Sequence, residues 1–180
     1  MRKDLLYMIP AGKYCKEELL TLLKNHPEIK FVSVVGIDLA GNDTDERIPM
    51  HVFQKDYESF FDGSAVQTDG SSVVLTGIAT LNNAKLDMIS DKSVNWFVDY
   101  NFEHIDQETG KPVGTVRIPA FLVHDGLRVD SRSILAQSME YVTQELKALF
   151  AAHTHIPGLN IAGNDIDDIV FTAATELEFW

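Results

Sequence analysis

The chain has 180 residues and carries Lys+Arg 15 against Asp+Glu 27, a formal net charge of -12. That balance argues against nucleic acid, whose phosphates need Lys/Arg neutralisation, and against an anionic membrane surface. The length suits one domain or a domain and a half, and the 45% hydrophobic content is that of a folded globular protein. Cys15 is the single cysteine, so no intrachain disulfide can form, and a reducing cytoplasm is the expected location. Asp4 and Pro10 interrupt any signal-like apolar core near the start, and no apolar run is long enough to span a bilayer.

In chain order, Lys16–His26 predicts a short helix with Cys15, Leu19, Leu22 and Leu23 on one side, ended by Pro27. Lys30–Leu39 predicts a strand, Gly41-Asn42-Asp43 a turn, and Asp45–Met50 a returning strand, making a hairpin. His51–Phe61 predicts a short helix, and the glycines and small polar residues of Gly63–Ser72 predict a loop. Leu86–Ile89 is a short strand. Asn95–His104 alternates Trp96, Val98, Tyr100 and Phe102 with polar residues, the pattern of a half-buried strand. Turn chemistry over Gln107–Pro112 returns it into Thr115–His124, where Pro119 implies an edge position or a bulge. Asp130 or Ser131 caps a helix whose core seam would be Leu135, Met139, Val142, Leu146 and Leu149. Ile169–Trp180 reads as a final strand. Asp125–Asp130 divides the chain into two units, 1–127 and 128–180.

Several chemistries lack their motif. Gly41–Asp45 and Gly163–Asp167 miss the glycine and the closing glutamate of an EF-hand. His153-x-His155 has no cysteine beside it for a structural zinc, and no Gly-rich phosphate loop is present. Ser131 and Ser133 sit where capping explains them.

Two features carry chemistry. In a strand, Glu176 and Glu178 would share one face, with Leu177 and Phe179 on the other. Paired carboxylates repel unless a cation bridges them, and a hard metal such as Mg2+ or Mn2+ is their natural partner. A hydrophobic strand that stops at Trp180, where such a site begins, reads as a cut protein. The second feature is Asp69-Gly70-Ser71-Ser72: an Asp held in a glycine-bearing loop can bind a small cation or take its proton. Taken alone it reads far more readily as an Asx turn.

Four landmarks in order resemble the glutamine synthetase family. Lys30–Pro49 is similar to its opening hairpin, Asp69–Ser72 to its D-G-S-S loop, Val129–Leu135 to its D-P-R helix start (with Ser131 for Pro), and Thr175–Trp180 to its G-P-E-x-E-F strand, without the Gly-Pro. The resemblance implies an α+β fold: a β-grasp-like mixed sheet with a short N-terminal helix, then the first helix and strand of the catalytic domain. It implies a ligase that uses ATP and Mg2+ or Mn2+ to join glutamate and ammonium through a γ-glutamyl phosphate. Glu176 and Glu178 match the metal ligands. Asp69 matches the Asp that deprotonates ammonium, in a homo-oligomeric ring where the N-terminal domain completes a neighbour's active site, and Ser72 lies beside it. By itself the 180-residue chain is expected to be inactive. The sequence departs from the family pattern at Lys85, where an acid is usual, and at Ser90, where a Pro is usual. Two other readings stay open: a γ-glutamyl-amine ligase using another amine, and a non-enzymatic β-rich protein-interaction module.

Overall fold

The computed structural model describes residues 2–62, 66–75, 85–153, 158, 162–174 and 176. The chain divides into two compact units, Met1–Ile134 and Leu135–Trp180. Elements in order are β1 (Met8–Ile9), α1 (Lys16–Lys24), β2 (Ile29–Ile37), β3 (Asp43–Pro49), α2 (Met50–Lys55), α3 (Tyr57–Asp62), β4 (Gln67–Asp69), β5 (Lys85–Ser90), β6 (Trp96–Ile105), β7 (Pro112–His124), β8 (Leu127–Arg128) and α4 (Ser131–Ala151).

The sheet runs β1-β6-β7-β2-β3. Two antiparallel hairpins, β2/β3 and β6/β7, meet through the parallel pair β2·β7, with Val32 opposite Val116 and Val34 opposite Ile118. Two hairpins joined by a central parallel pair are the β-grasp arrangement, so the expected α+β, β-grasp-like mixed sheet is what forms. Strand β7 is long enough to serve two sheets. Its first half pairs with β6, and its second half pairs with β5 and β8.

Alternation sets the faces. Val32, Val34, Trp96, Val98, Val116 and Ile118 point one way and are buried. Helix α1 lays Leu19 and Leu23 on that face, and α2 and α3 add Phe53, Tyr57 and Phe60. Trp96 is fully buried, stacked on Tyr14 at 3.9 Å between ring centroids, and donates from Nε1 to the Asp91 carbonyl. Burial pushes the Tyr57 hydroxyl up to about 12, and that hydroxyl donates to the Tyr14 carbonyl. Gly36 has a packing reason: a Cβ there would overlap the fully buried Leu122 side chain.

Both hairpins and the Lys16 helix form as the pattern predicts. Other expectations are corrected. The His51–Phe61 helix is broken at Asp56 into α2 and α3. Within Gly63–Ser72, Gln67–Asp69 is a strand, since its backbone finds a ladder on β5. Pro119 is at neither an edge nor a bulge. β6 leaves β7 at Arg117 and β5 begins at Ala120, so the missing N–H falls where one partner hands over to the next. Its carbonyl accepts the Asp91 N–H there.

The helix α4 forms, but Leu135, Met139, Val142 and Leu149 of its expected core seam are exposed. Helical period shows that an apolar side exists, not that a neighbour covers it. The strand expected over Ile169–Trp180 is also corrected for the residues described: 169–174 and Glu176 lie in no strand. Val170 and Phe171 supply propensity, but a strand needs a partner ladder to hold it. Among the described residues no helix is long and apolar enough to cross a membrane.

Candidate functional site

The most ordered candidate lies where β4 ends. Asp69 takes an extended conformation, and Gly70–Ser72 then turn in a short 3₁₀ segment. Asp69 is exposed, and its Oδ1 accepts the Ser71 N–H at 2.8 Å. That bond, with the Ser71 hydroxyl, holds the Asp69 carboxyl below its usual range. The group is therefore a carboxylate near neutral pH, oriented by its own turn. Ser72 is exposed on the same turn.

The turn is fixed from both sides by apolar anchors and by one buried acid. Val73 and Leu75 go into the core. Between them, Val74 is clamped by its backbone: its N–H donates to Asp38 Oδ2 at 2.8 Å, and its carbonyl accepts the Leu39 N–H at 3.1 Å. Asp38 is only 2% exposed, and its Oδ1 also accepts the N–H groups of Ala40 and Asn42, each at 2.9 Å. Burial alone would push the Asp38 carboxyl up, but the N–H groups of Val74, Asn42 and Ala40 outweigh it and hold the carboxyl below its usual range. Asp38 is a residue that the sequence reading passed over. Its signal was an Asp closing a strand just before Gly41-Asn42, which is ordinary turn chemistry.

Lys85 faces Asp69 directly: the β4–β5 register pairs Asp69 with Lys85 and Gln67 with Asp87. Directly opposed residues share a face with Cβ atoms about 5 Å apart.

The start of α4 is tied to the segment after β5. Asp91 is buried, accepts the Ser93 N–H and hydroxyl, and pairs with Arg132 at the start of α4. Burial would raise the Asp91 carboxyl, but Ser93 and Arg132 together hold it low. Asp130 caps α4 as expected: Oδ1 accepts the Ser133 N–H at 2.9 Å, while Oδ2 accepts the Ser133 hydroxyl and the Leu122 N–H. One carboxylate thus closes a helix and secures a central strand.

Of the carboxylate pair near the C-terminus, one member is described. Glu176 is exposed and outside any strand, and Glu178 lies outside the described residues, as does His155. Among the described residues no three His, Cys, Asp or Glu side chains assemble a metal site. Asp69 and Ser72 belong to the first unit and Glu176 to the second.

No protein-family model and no curated protein matches the sequence. Among solved structures, the chain is similar to a GmaS/ADP complex, at 15% identity and a TM-score of 0.45. The similarity covers 71% of this chain and 26% of that one, so this chain spans about a quarter of the length of the structure it matches.

Proposed function

We propose that this chain is the N-terminal portion of a glutamine synthetase-like, ATP-dependent ligase. The observation that carries the reading is Asp69: an exposed carboxylate, kept ionised by Ser71 and set on a turn that the buried Asp38 clamps. A carboxylate so held attracts an ammonium or amine cation and can accept its proton, which a nucleophile must lose before it attacks an acyl phosphate.

In this reading Asp69 and the adjacent Ser72 serve a neighbouring subunit's site in a homo-oligomeric ring, a head-to-tail assembly because two different surfaces meet. Glutamate, ammonium and ATP are the substrates. Glu176 and Glu178 would hold Mg2+ or Mn2+, which neutralises phosphate charge during transfer. Two carboxylates cannot by themselves close a nucleotide-metal site, so the 180-residue chain is expected to be inactive alone. The location is cytoplasmic, with neither nucleic acid nor membrane as a partner.

A second reading changes the amine. Lys85 stands opposite Asp69 and adds positive charge where a small cation would approach. The charge beside Asp69 thus differs from the family pattern that the sequence resembles, and in this reading the acceptor is an amine other than ammonium.

The test is ADP release by the protein expressed from the complete reading frame. Glutamate-dependent ADP formation that requires an amine, and falls at least about 100-fold in Asp69→Ala, is expected for a general base. Supplying ammonium, methylamine or a polyamine separates the two readings. A frame that yields no amine-dependent ADP release with any of them overturns both and leaves the interaction module.

A further inference from the structure

The sheet face turned away from α1–α3 carries an open trough of about 720 Å³. Small-molecule sites typically measure about 300–1,000 Å³. The trough exists because the β6–β7 ladder breaks: Asn101 pairs with Val113 and Ile105 with Pro112, leaving Phe102, Glu103 and His104 without cross-strand partners. The bulged segment stands up as one wall, and β3 forms the opposite wall.

The two walls carry opposite charges that do not cancel. On β3, Arg47 folds over the ring of Phe31, 5.6 Å from guanidinium carbon to ring centroid. Stacking orients the guanidinium while leaving its edge donors free. Its neighbour on the same face, Arg117, is already taken by Asp43 and Asp45. Arg47 pairs with no acid among the described residues. On the far wall Asp99 and Glu103 are exposed and pair with no cation among the described residues. β3 and β6 are three strand spacings apart, about 14 Å. Phe31 on β2 and Thr115 on β7 lie between the two walls.

We propose that this trough binds a small zwitterion with an apolar side chain. Its carboxylate sits on Arg47, its ammonium on Asp99 and Glu103, and its apolar side chain on Phe31 and Phe102. A dianion meets the acidic wall, and a dication meets Arg47. The inference is independent of the ligase reading, because it uses a different face of the sheet from Asp69.

The experiment is a two-dimensional NMR titration of the full chain with the dipeptide Gly-Leu, its N-acetyl form and its C-terminal amide. Saturable shifts at Phe31, Arg47, Asp99 and Phe102 are expected, with each blocked form binding about tenfold more weakly, the loss of one charge-assisted contact. Arg47→Gln and Asp99→Asn should each weaken Gly-Leu by a similar factor. Both side chains are exposed and unpaired, so an unchanged melting temperature confirms that folding is intact. Absence of saturable shifts, equal binding of the blocked dipeptides, or shifts confined to another face overturns the proposal.

Discussion

The two halves of β7 are held in different ways. Around Pro112–Arg117 the strand lies between β6 and β2, and the surrounding grasp is secured by apolar burial: Trp96, Val32, Val116 and Ile118 under the aromatic rings of α2 and α3. Around Ala120–His124 the strand pairs with β5 and β8, and the segments gathered there are pinned by buried aspartates. Asp38 holds the Asp69 loop, Asp91 holds Arg132, and Asp130 holds both α4 and Leu122. Apolar packing is tolerant of small shifts, whereas a carboxylate that accepts several N–H groups fixes them within tenths of an ångström. The second half has its own buried side chains, Leu86, Met88 and Leu122, and adds the aspartates to them.

The comparison breaks most violently at Trp96. Trp96→Ala removes a fully buried ring, its stack on Tyr14 and its bond to Asp91, and should cost about 3–5 kcal/mol. Loss of cooperative thermal unfolding, or a fall in midpoint of many degrees, is the expected readout, and it should take both halves down together. Asp130→Ala acts on the other half. It leaves the Leu122 and Ser133 N–H groups unsatisfied in a buried setting and should cost about 2 kcal/mol. Denaturant midpoints measure it, and the far-ultraviolet signal of α4 should weaken first.

Acid should separate the halves without mutation. Asp38 and Asp91 both have carboxyls held below the usual range. Groups with depressed folded values contribute stability that is fully present above their ordinary value, near 3.9, and is lost as pH falls through the folded value. Lowering pH through about 4 and below should therefore loosen the segments around Val74 and Ser93, along with the Glu28 contacts at the start of β2, while Val32 and Val116 keep their protection, as amide exchange would show. Simultaneous loss of both halves would blur the distinction. Smallest of all, Asp69→Asn should change stability by under about 0.5 kcal/mol, since the side chain is exposed and serves only its own turn. A large destabilisation there would make Asp69 structural.

What the sequence made legible follows the same division. Both hairpins were readable because alternation and turn residues are local signals, and Asp130 was readable because capping is local too. The parallel meeting of Val32 with Val116 was not, because 84 residues separate them and nothing in either strand names its partner. Gln67–Asp69 hid as a loop, since three polar residues become a strand only when β5 supplies the ladder. The Asp69 position was legible from its glycine-bearing turn, yet its support was not: Asp38 looks like any strand-closing acid until Val74 arrives from 36 residues away. Register likewise revealed what spacing could not, that Lys85 stands opposite Asp69. The α4 seam and the strand expected at Val170-Phe171 failed for one reason. Period and propensity describe a surface, and burial requires a second surface to meet it.

The central claim is that a buried carboxylate, beside the apolar anchors Val73 and Leu75, fixes the backbone that carries the Asp69 turn. Amide hydrogen exchange in Asp38→Asn tests it most directly. The substitution puts an NH2 group where an oxygen now faces either the Ala40 and Asn42 N–H groups or that of Val74, so at least one contact becomes repulsive. The account predicts that exchange at Val74 and Ser71 accelerates at least about tenfold, the loss of one bond to a charged acceptor, while Val32 and Val116 keep their protection. Unchanged protection at Val74, or a uniform loss that includes Val32 and Val116, would contradict it.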